Sequence, residues 1–410
     1  MKIKNFFKLK SRLISKFFIL ISFFSISIAF YIALISERNS VRFKISTHID
    51  EVPSINDELM SRVSHEVTSS NESYKFDEII KEFCPVKENK AGYSCLNRLS
   101  SYEINHQNEY ESEFEKTYYH TFWKIKESKR HHFRVLILQI ISFLVTQDHN
   151  RAIFIIWIQR KFPININRQI NDRFAYYLKN NIIKIKILNF IDLCSNGKFK
   201  SCYRKCASVR NQNSVAFSDF VRFLVLYKYG GIYVDGDVIF LRDMRPFWNK
   251  NFVHRWSFTE DYNTAVMGLR LNRSKSIEAI YEKIIQTPRL TNLVAAFYPT
   301  KIKNTIRDLN NGDIFFYKDF SVYHSILFDP SWLCNDGMLP RFNNVTVCQF
   351  NEFYDTTITK DDFKMDQFFN GAFSFHLHLK NCGKCEIGNS SYFHHIENYF
   401  VEKLENYYPK

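Results

Sequence analysis

Residues 218–241 read SDFVRFLVLYKYGGIYVDGDVIFL, in which an apolar helical pattern runs into a glycine pair and then into a short apolar strand. Apolar side chains recur at the three- and four-residue spacing of one helix face, which predicts a helix over residues 215–229 that packs on a sheet. The glycine pair at 230–231 predicts the end of this helix, because glycine adopts the left-handed conformation of a C-terminal cap. The apolar residues of the predicted face are Phe217, Phe220, Val221, Leu224 and Tyr227.

The strand predicted over residues 232–234 places Asp235, Gly236 and Asp237 at its carboxyl end. Two carboxylates separated by one residue suit a hard divalent cation such as Mn²⁺ or Mg²⁺, which prefers oxygen ligands. Gly236 between them lets a bulky diphosphate approach the backbone. A cation held here would neutralise the negative charge of a departing nucleoside diphosphate.

Other segments indicate the sheet around this strand. Residues 152–158 (AIFIIWI) form a compact apolar run typical of a buried parallel strand, and residues 182–188 (IIKIKIL) alternate as a further strand. The chain between them is long enough for a helix, and a last strand is predicted over residues 232–241. This alternation predicts an α/β sheet with a ligand crevice at its carboxyl edge. The apolar run 133–145 is too short for a confident membrane span and predicts a buried helix or strand.

Composition narrows the class of protein. The chain has 410 residues, 45% of them hydrophobic, with only 11 Gly and 9 Pro, which excludes a wholly disordered or collagen-like chain. Its net charge is +14, but six basic residues lie within the first 16, and the remainder is spread along the chain. We find no zinc-finger spacing and no aromatic-basic motif, so nucleic acid is not the predicted partner.

The N-terminus predicts the compartment. Residues 17–35 are 19 uncharged, mostly apolar residues preceded by basic ones, which favours an uncleaved type II anchor over a cleaved signal peptide. Residues 1–16 are then a cytosolic tail, residues 36–149 a stem and N-terminal lumenal region, and residues 150–410 the catalytic domain. The expected location is the Golgi or endoplasmic-reticulum membrane, with the catalytic domain in the lumen.

Sequons and cysteines agree with a lumenal body. Cys84 and Cys95 are spaced to close a short loop, and Cys382 and Cys385 favour a structural bridge over redox catalysis or zinc binding. The other pairings stay open. The sequons are Asn71, Asn272, Asn344 and Asn389, and the remaining cysteines are Cys194, Cys202, Cys206, Cys334 and Cys348.

The string at 218–241 closely resembles the DXD-containing sugar-binding region of glycosyltransferases of the α-1,4-galactosyltransferase, α-1,4-N-acetylglucosaminyltransferase and yeast initiating α-1,6-mannosyltransferase type. A looser resemblance extends from about residue 150 to about residue 270. It implies a GT-A, Rossmann-like α/β domain that binds Mn²⁺ or Mg²⁺. The implied reaction moves a hexose or N-acetylhexosamine from a nucleotide diphosphate sugar to a hydroxyl of a glycan or glycolipid. Retention of the anomeric configuration, and hence an α-linkage, is also implied.

The resemblance assigns roles within the string. Asp237 matches the aspartate that ligates the metal directly, and Asp235 matches the one that contacts the ribose and sugar and often reaches the metal through water. Gly236 lies between them. Asp219 and Arg222 match a pair that hydrogen-bonds the donor sugar, although two residues of opposite charge at this spacing also form plain surface ion pairs.

Further donor-site positions follow from the same resemblance. Ser218 belongs to the Ser-Asp-x-x-Arg string, and Tyr233 matches an aromatic position near the nucleotide sugar, although it also fits a core position. Trp157, placed at the end of the first strand, resembles the base-binding Trp of the family. Asn263 resembles an Asn near the donor or acceptor sugar, or else caps a turn.

A late segment completes the implied site. Residues 372–378 (AFSFHLH) resemble an Ala-x-His-Leu-Trp element that lies close to the diphosphate or metal. His376 takes the position of the histidine, and His378 stands where the family has tryptophan. The alternative for His376 is a core histidine.

Two other functions are also compatible with the sequence. The segment 232–238 also fits the first strand of haloacid-dehalogenase-like phosphotransferases, with Asp235 as the nucleophile and Asp237 as the acid/base. Asp361 and Asp362 would then supply a late acidic pair. A catalytically inactive lumenal relative that binds a glycan or nucleotide is the other alternative.

Overall fold

Strand pairing places the Asp-Gly-Asp segment beside the middle of one large sheet. The architecture comes from a computed structural model, whose described residues are 76–87, 92–102, 116–124, 130–189, 192–193, 214–248, 250–270, 277–279, 281, 297–317, 320–335, 352–379 and 386–407. The chain divides into two units, Met1–Ser73 and Tyr74–Lys410, and every described residue lies in the second. The predicted tail and anchor therefore lie outside the described residues. So do Asn71, Asn272, Asn344, Cys194, Cys202, Cys206, Cys348, Cys382 and Cys385.

Helices and strands alternate along the described chain. The helices are α1 (Phe76–Phe83), α2 (Gly92–Ser100), α3 (Arg130–Thr146), α4 (Ile164–Lys179), α5 (Ser214–Tyr229), α6 (Phe297–Leu309), α7 (Pro330–Asn335), α8 (Glu352–Asp355) and α9 (Tyr392–Tyr407). The strands are β1 (Thr117–Trp123), β2 (Ala152–Ile158), β3 (Ile183–Ile187), β4 (Gly231–Val234), β5 (Val238–Phe240), β6 (Asn251–Arg255), β7 (Tyr262–Leu269), β8 (Phe316–Tyr317), β9 (Phe320–Tyr323) and β10 (Ser374–His376).

The large sheet has the order β3-β2-β1-β4-β7-β6-β9-β8. Strands β3, β2, β1 and β4 run parallel, and β7 is antiparallel to β4. A second, two-stranded sheet pairs β5 with β10 in antiparallel fashion. The predicted α/β sheet is therefore confirmed, with an antiparallel element added beyond β4.

Two apolar cores cover the two faces of the sheet. In β2, Phe154 and Ile156 face one core, whereas Ile155 and Trp157 face the other. The first core includes α3 and α9, and the second includes α5 and α6. A strand buried on both faces needs apolar side chains at every position, which explains the unbroken run at 152–158.

Most predicted elements are confirmed, and one is wrong. The strands at 152–158 and 182–188, the helix between them and the helix at 215–229 correspond to β2, β3, α4 and α5. The run 133–145 is a buried helix, α3. The single strand predicted over 232–241 is instead two strands, β4 and β5, because the chain turns at Asp235–Asp237 and β5 joins β10.

The catalytic domain is predicted to begin at residue 150, but the large sheet also contains β1, which precedes that residue. Strand β1 pairs with both β2 and β4, so that boundary is too late. The reason is composition: β1 reads TYYHTFW and lacks the aliphatic run that marks β2. Helices α1 and α2 belong to the same core and are joined by the Cys84–Cys95 disulfide, which confirms that predicted pair.

Among the described residues, no helix combines the length and apolar character needed to cross a bilayer. Asn389 is exposed in the turn before α9.

Candidate active site

The Asp-Gly-Asp turn is anchored by backbone pairing at both ends. The N–H of Asp235 donates to the Ala265 carbonyl at 2.7 Å, which extends the β4–β7 pairing, and the N–H of Val238 donates to the Asp235 carbonyl at 3.0 Å. Gly230 and Gly231 have φ of 64° and 96°, which confirms the predicted helix end. A Cβ on Gly231 would collide with the Tyr118 carbonyl of β1, so this position requires glycine.

Two side chains hold the turn from the neighbouring elements. Gln139, buried in α3, donates to the carbonyls of Asp235 at 2.7 Å and Val238 at 2.9 Å. Gly236 lies against the Trp123 ring at the end of β1, where an added Cβ would lie 2.6 Å from a ring carbon. The Asp235–Asp237 turn is therefore held in place by contacts with α3 and β1.

Arg222 links α5 to the first aspartate of the turn. Its Nη2 lies 2.7 Å from Asp235 Oδ1 and 2.8 Å from Asp219 Oδ1, and its Nη1 donates to Thr264 at 2.5 Å. Asp219 and Arg222 are each only 4% exposed, so they form a buried pair and not a surface one. Arg222 thus directs its donors inward, towards Asp235.

The second aspartate faces a histidine pair. His376 Nε2 lies 3.1 Å from Asp237 Oδ1, and the Leu379 N–H donates to Asp237 Oδ2 at 3.0 Å. On the other side of its ring, His376 Nδ1 lies 3.3 Å from Asp329 Oδ2. His378 Nε2 lies 2.9 Å from Asp329 Oδ1, and the two imidazoles stack with centroids 3.9 Å apart.

Burial and charge give the carboxylates different proton affinities. Burial disfavours ionised Asp237, but the charge and hydrogen bond of His376 outweigh it and lower the pKa of Asp237 to about 2. Burial also disfavours charged His376, but Asp237 and Asp329 raise its pKa well above 6.5. Burial raises the pKa of Asp235, against the effect of Arg222, and raises the pKa of Asp219 to about 7.

The donor set fits a divalent cation. Carboxylate and imidazole ligands suit Mn²⁺, and Asp237 and His376 present both within 3.1 Å of each other. Their side chains are 20% and 13% exposed, so an ion has access to them. Asp329, His376 and His378 also offer ligand atoms that all lie within 4.8 Å of one another.

The structure distributes the other predicted residues differently. Asn263 lies at the site, with its Nδ2 3.4 Å from Asp329 Oδ2. Ser218 is half-buried on α5. Tyr233 is fully buried under the Arg222 guanidinium, whose carbon lies 5.0 Å from the ring centroid, and therefore packs in the core.

Trp157 does not end the first strand of the sheet. It is the second-to-last residue of β2, is 3% exposed, and donates its indole N–H to His120 Nδ1 at 3.1 Å. The first strand is β1, whose last residue is Trp123, so the expectation that Trp157 ends the first strand is wrong. The match of Trp157 to the base-binding tryptophan stays a prediction. The sequence pattern that indicates β1 is the aromatic string TYYHTFW, which ends at Trp123.

Further site residues have no recognisable pattern in the sequence. Asp329 sits in the string FDPSW, which carries no metal-binding spacing. Gln139 was visible as a single polar residue within an apolar run, but its partners are about a hundred residues away in sequence. Asp361 and Asp362, proposed for a phosphotransferase site, are exposed in a turn, where Asp362 accepts a hydrogen bond from Thr359.

Solved glycosyltransferase structures resemble the chain only distantly. PaToxG glycosyltransferase is 14% identical, over 48% of this chain and 70% of its own, with a TM-score of 0.34. An active-site mutant of LgtC is 12% identical, over 70% and 95%, with a TM-score of 0.36. Mouse xyloside xylosyltransferase 1 in its apo form is 10% identical, over 65% and 99%, with a TM-score of 0.33. No curated protein sequence matches the chain.

The family assignment rests on the sequence. Residues 41–254, just over half of the chain, match the glycosyltransferase sugar-binding region containing the DXD motif. This segment includes the Asp235–Asp237 turn at the carboxyl end of β4, which lies within the α/β sheet. The chain therefore belongs to the family of glycosyltransferases whose sugar-binding region contains a DXD motif.

Proposed function

We propose that this glycosyltransferase moves a hexose or N-acetylhexosamine from a nucleotide diphosphate sugar to a hydroxyl of a glycan or glycolipid, with a divalent cation and with retention. The observation that carries the proposal is the convergence of Asp237 and His376, 3.1 Å apart, at the edge of the sheet where β4 ends. Open α/β sheets bind nucleotides at the carboxyl ends of their strands.

Asp237 and His376 would hold the cation, Mn²⁺ or Mg²⁺, with Asp235 beside them. The bound cation would neutralise charge on the departing diphosphate. Arg222 keeps Asp235 in place, so that its second oxygen is available to the donor. Gly236 lacks the Cβ that would meet the Trp123 ring, so the turn that carries both aspartates can lie close to β1.

Retention without a protein nucleophile is the favoured route. Among the described residues that contact the site, the carboxylates are Asp219, Asp235, Asp237 and Asp329, and each is engaged by Arg222 or by a histidine. A carboxylate held by a cation is a poor nucleophile, because its charge is already compensated. We therefore propose same-face substitution. The bond between the anomeric carbon and the diphosphate breaks, the acceptor oxygen bonds to that carbon on the same face, and the departing nucleoside diphosphate takes the acceptor proton on one of its oxygens.

An aromatic pair beside the histidines supports a saccharide acceptor. Trp256 follows β6 directly, is 36% exposed, and lies 5.6 Å, centroid to centroid, from Trp332 of α7. The Trp332 ring in turn lies 5.1 Å from the His378 ring. Tryptophan offers an apolar face for the C–H groups of a sugar and a polar N–H for its hydroxyls. We propose that the acceptor sugar stacks on Trp256.

We further propose a type II protein anchored by residues 17–35 with its catalytic domain in the lumen of the Golgi or endoplasmic reticulum. The Cys84–Cys95 disulfide supports an oxidising compartment, and the exposed sequon at Asn389 is accessible to glycosylation there.

The test is turnover by the full chain with UDP-galactose, UDP-N-acetylglucosamine, UDP-glucose and GDP-mannose, each with Mn²⁺ and a mixture of glycan acceptors. Product NMR would report the anomeric configuration. A single active donor and an α-linked product would support the proposal, whereas a β-linked product would contradict retention.

A further inference from the structure

Asp329 receives polar contacts from four side chains of the site. His376 Nδ1 at 3.3 Å and Asn263 Nδ2 at 3.4 Å face its Oδ2. His378 Nε2 at 2.9 Å and the Ser331 hydroxyl at 2.8 Å face its Oδ1. Its side chain is 1% exposed, and a carboxylate is buried at this depth only when donors surround it.

His376 separates Asp329 from the DXD turn. Asp329 lies on the opposite side of the His376 ring from Asp237, because Nδ1 faces Asp329 and Nε2 faces Asp237. A carboxylate that accepts Nδ1–H leaves Nε2 as the nitrogen that can bind a metal. The His376 imidazole therefore lies between two carboxylates, that of Asp329 and that of Asp237.

We propose that Asp329 is the positioning residue of the cation site, holding the His376 ring by Nδ1–H so that Nε2 completes the ligand set with Asp237. This inference rests on the proposed metal-dependent function. Carboxylates that orient ligating histidines raise metal affinity by about 10- to 100-fold in other sites. Asp329 therefore sets how tightly the cation binds, without ligating it.

His378 and Ser331 serve Asp329 rather than the cation. Both approach Oδ1, the oxygen that does not face His376, and His378 packs its ring against His376. These contacts fix the plane of the carboxylate, so Oδ2 is directed at Nδ1. The resembling family element has tryptophan where this chain has His378. The buried carboxylate of Asp329 needs a hydrogen-bond donor there, which explains the histidine.

The arrangement of donors argues against a second metal on Asp329. His376, His378 and Asp329 have the spacing of a three-ligand site. However, Ser331 and Asn263 also face the two oxygens of Asp329, at 2.8 and 3.4 Å. Hydroxyl and amide donors aimed at a carboxylate are typical of a hydrogen-bonded support and not of an open ligand.

The experiment measures Mn²⁺ binding to the full chain by the loss of the EPR signal of free Mn²⁺, and separately measures turnover against Mn²⁺ concentration. Asp329→Asn keeps the shape of the side chain but cannot accept from both histidines as a carboxylate does. Asp362→Asn, which changes an exposed carboxylate in a turn, is the matched control. Thermal unfolding reports whether each variant is folded, and Asp329→Glu serves if Asp329→Asn is not.

We expect Asp329→Asn to weaken Mn²⁺ binding about 10- to 100-fold and to regain near-native kcat at saturating Mn²⁺, with Asp362→Asn unchanged. The Mn²⁺ affinity of Asp329→Glu should lie between those of Asp329→Asn and Asp362→Asn. Native Mn²⁺ affinity in folded Asp329→Asn would overturn the positioning role. A loss of more than about a thousandfold with no recovery at high Mn²⁺ would make Asp329 a ligand and overturn it too. No Mn²⁺ binding by the unsubstituted chain would instead overturn the proposed metal-dependent function.

Discussion

Arg222 Nη2 lies 2.7 Å from Asp235 Oδ1, so the first aspartate of the DXD turn carries its own internal counter-ion. The same guanidinium contacts Asp219 and Thr264, and it is almost fully buried. Asp237, by contrast, faces His376 and not a permanent cation. The two aspartates are therefore chemically different, and Asp237 is the one that a cation can engage, with His376 Nε2 as a second ligand.

Arg222→Lys should separate charge from geometry. A lysine ammonium cannot reach Asp219, Asp235 and Thr264 together, so buried partners would be left unpaired. We expect the free energy of unfolding to fall by about 2 kcal/mol and donor turnover to fall more than about tenfold. Urea unfolding and turnover assays measure the two effects. Arg134→Lys, at a half-buried pair with Glu397, should cost less than about 1 kcal/mol; equal losses in both variants would refute the role of Arg222.

Gly236→Ala should move the DXD turn. The added methyl would meet the Trp123 ring at 2.6 Å, so the turn or the ring must shift. We expect a loss of about 1–3 kcal/mol in stability and weaker Mn²⁺ binding. Gly388→Ala is the control, because the nearest atom to its Cβ is 3.6 Å away. Adding Trp123→Leu to Gly236→Ala should recover part of the lost stability, and no recovery would show that the ring is not the obstacle.

Trp256→Ala tests the proposed acceptor site. Removing the exposed ring should raise the KM for the acceptor about tenfold, equivalent to about 1.4 kcal/mol of lost binding. Hydrolysis of the donor alone should stay unchanged, because Trp256 contacts Trp332 and not the carboxylates. Tyr176→Ala, which removes a 65% exposed aromatic ring from α4, is the control. A matching rise in the donor KM would place Trp256 in the donor site instead.

His120 should make the fold sensitive to acid. Its Nε2–H donates to the Gly230 carbonyl at 2.9 Å, and its Nδ1 accepts from Trp157, so the neutral ring is satisfied. Burial lowers its pKa from 6.5 to about 4. The unfolded chain therefore binds the proton more readily, and stability is lost as the pH falls from about 6.5 towards 4.

The full contribution of that shift is on the order of 3 kcal/mol. His120→Gln should remove it, so the loss of unfolding free energy between pH 7 and pH 4 should be smaller in the variant by about that amount. Urea unfolding at several pH values measures both proteins. Identical pH dependence in the two would mean that His120 is not held neutral.

The sequence carried enough information for the DXD turn and its nearest elements. The run 152–158, the alternating run 182–188 and the helix before Gly230 each have a period that sets their structure, and each is confirmed. Strand β1 is not predicted from the sequence, because its side chains are aromatic and polar rather than aliphatic, and β2 is therefore predicted as the first strand. Local patterns identify elements but do not show which strand lies at the centre of the sheet.

Only part of the site around His376 could be predicted from the sequence. His376 followed from its similarity to a family element, but Asp329 lies 47 residues away in sequence and has no pattern of its own. Arg222 was expected at the donor sugar, yet it is turned inward to Asp235 because α5 is buried against the sheet on that side. Such pairings depend on tertiary packing, which periodicity does not encode.

The most direct test of metal-dependent sugar transfer is release of nucleoside diphosphate by the full chain across the four donors with Mn²⁺. The same assay is repeated after chelation, after Mn²⁺ is added back, and in Asp237→Asn beside the control Asp362→Asn. We predict release from one donor that chelation abolishes, Mn²⁺ restores, and Asp237→Asn lowers more than about a hundredfold. Release that persists unchanged under chelation, or in Asp237→Asn, would contradict the account.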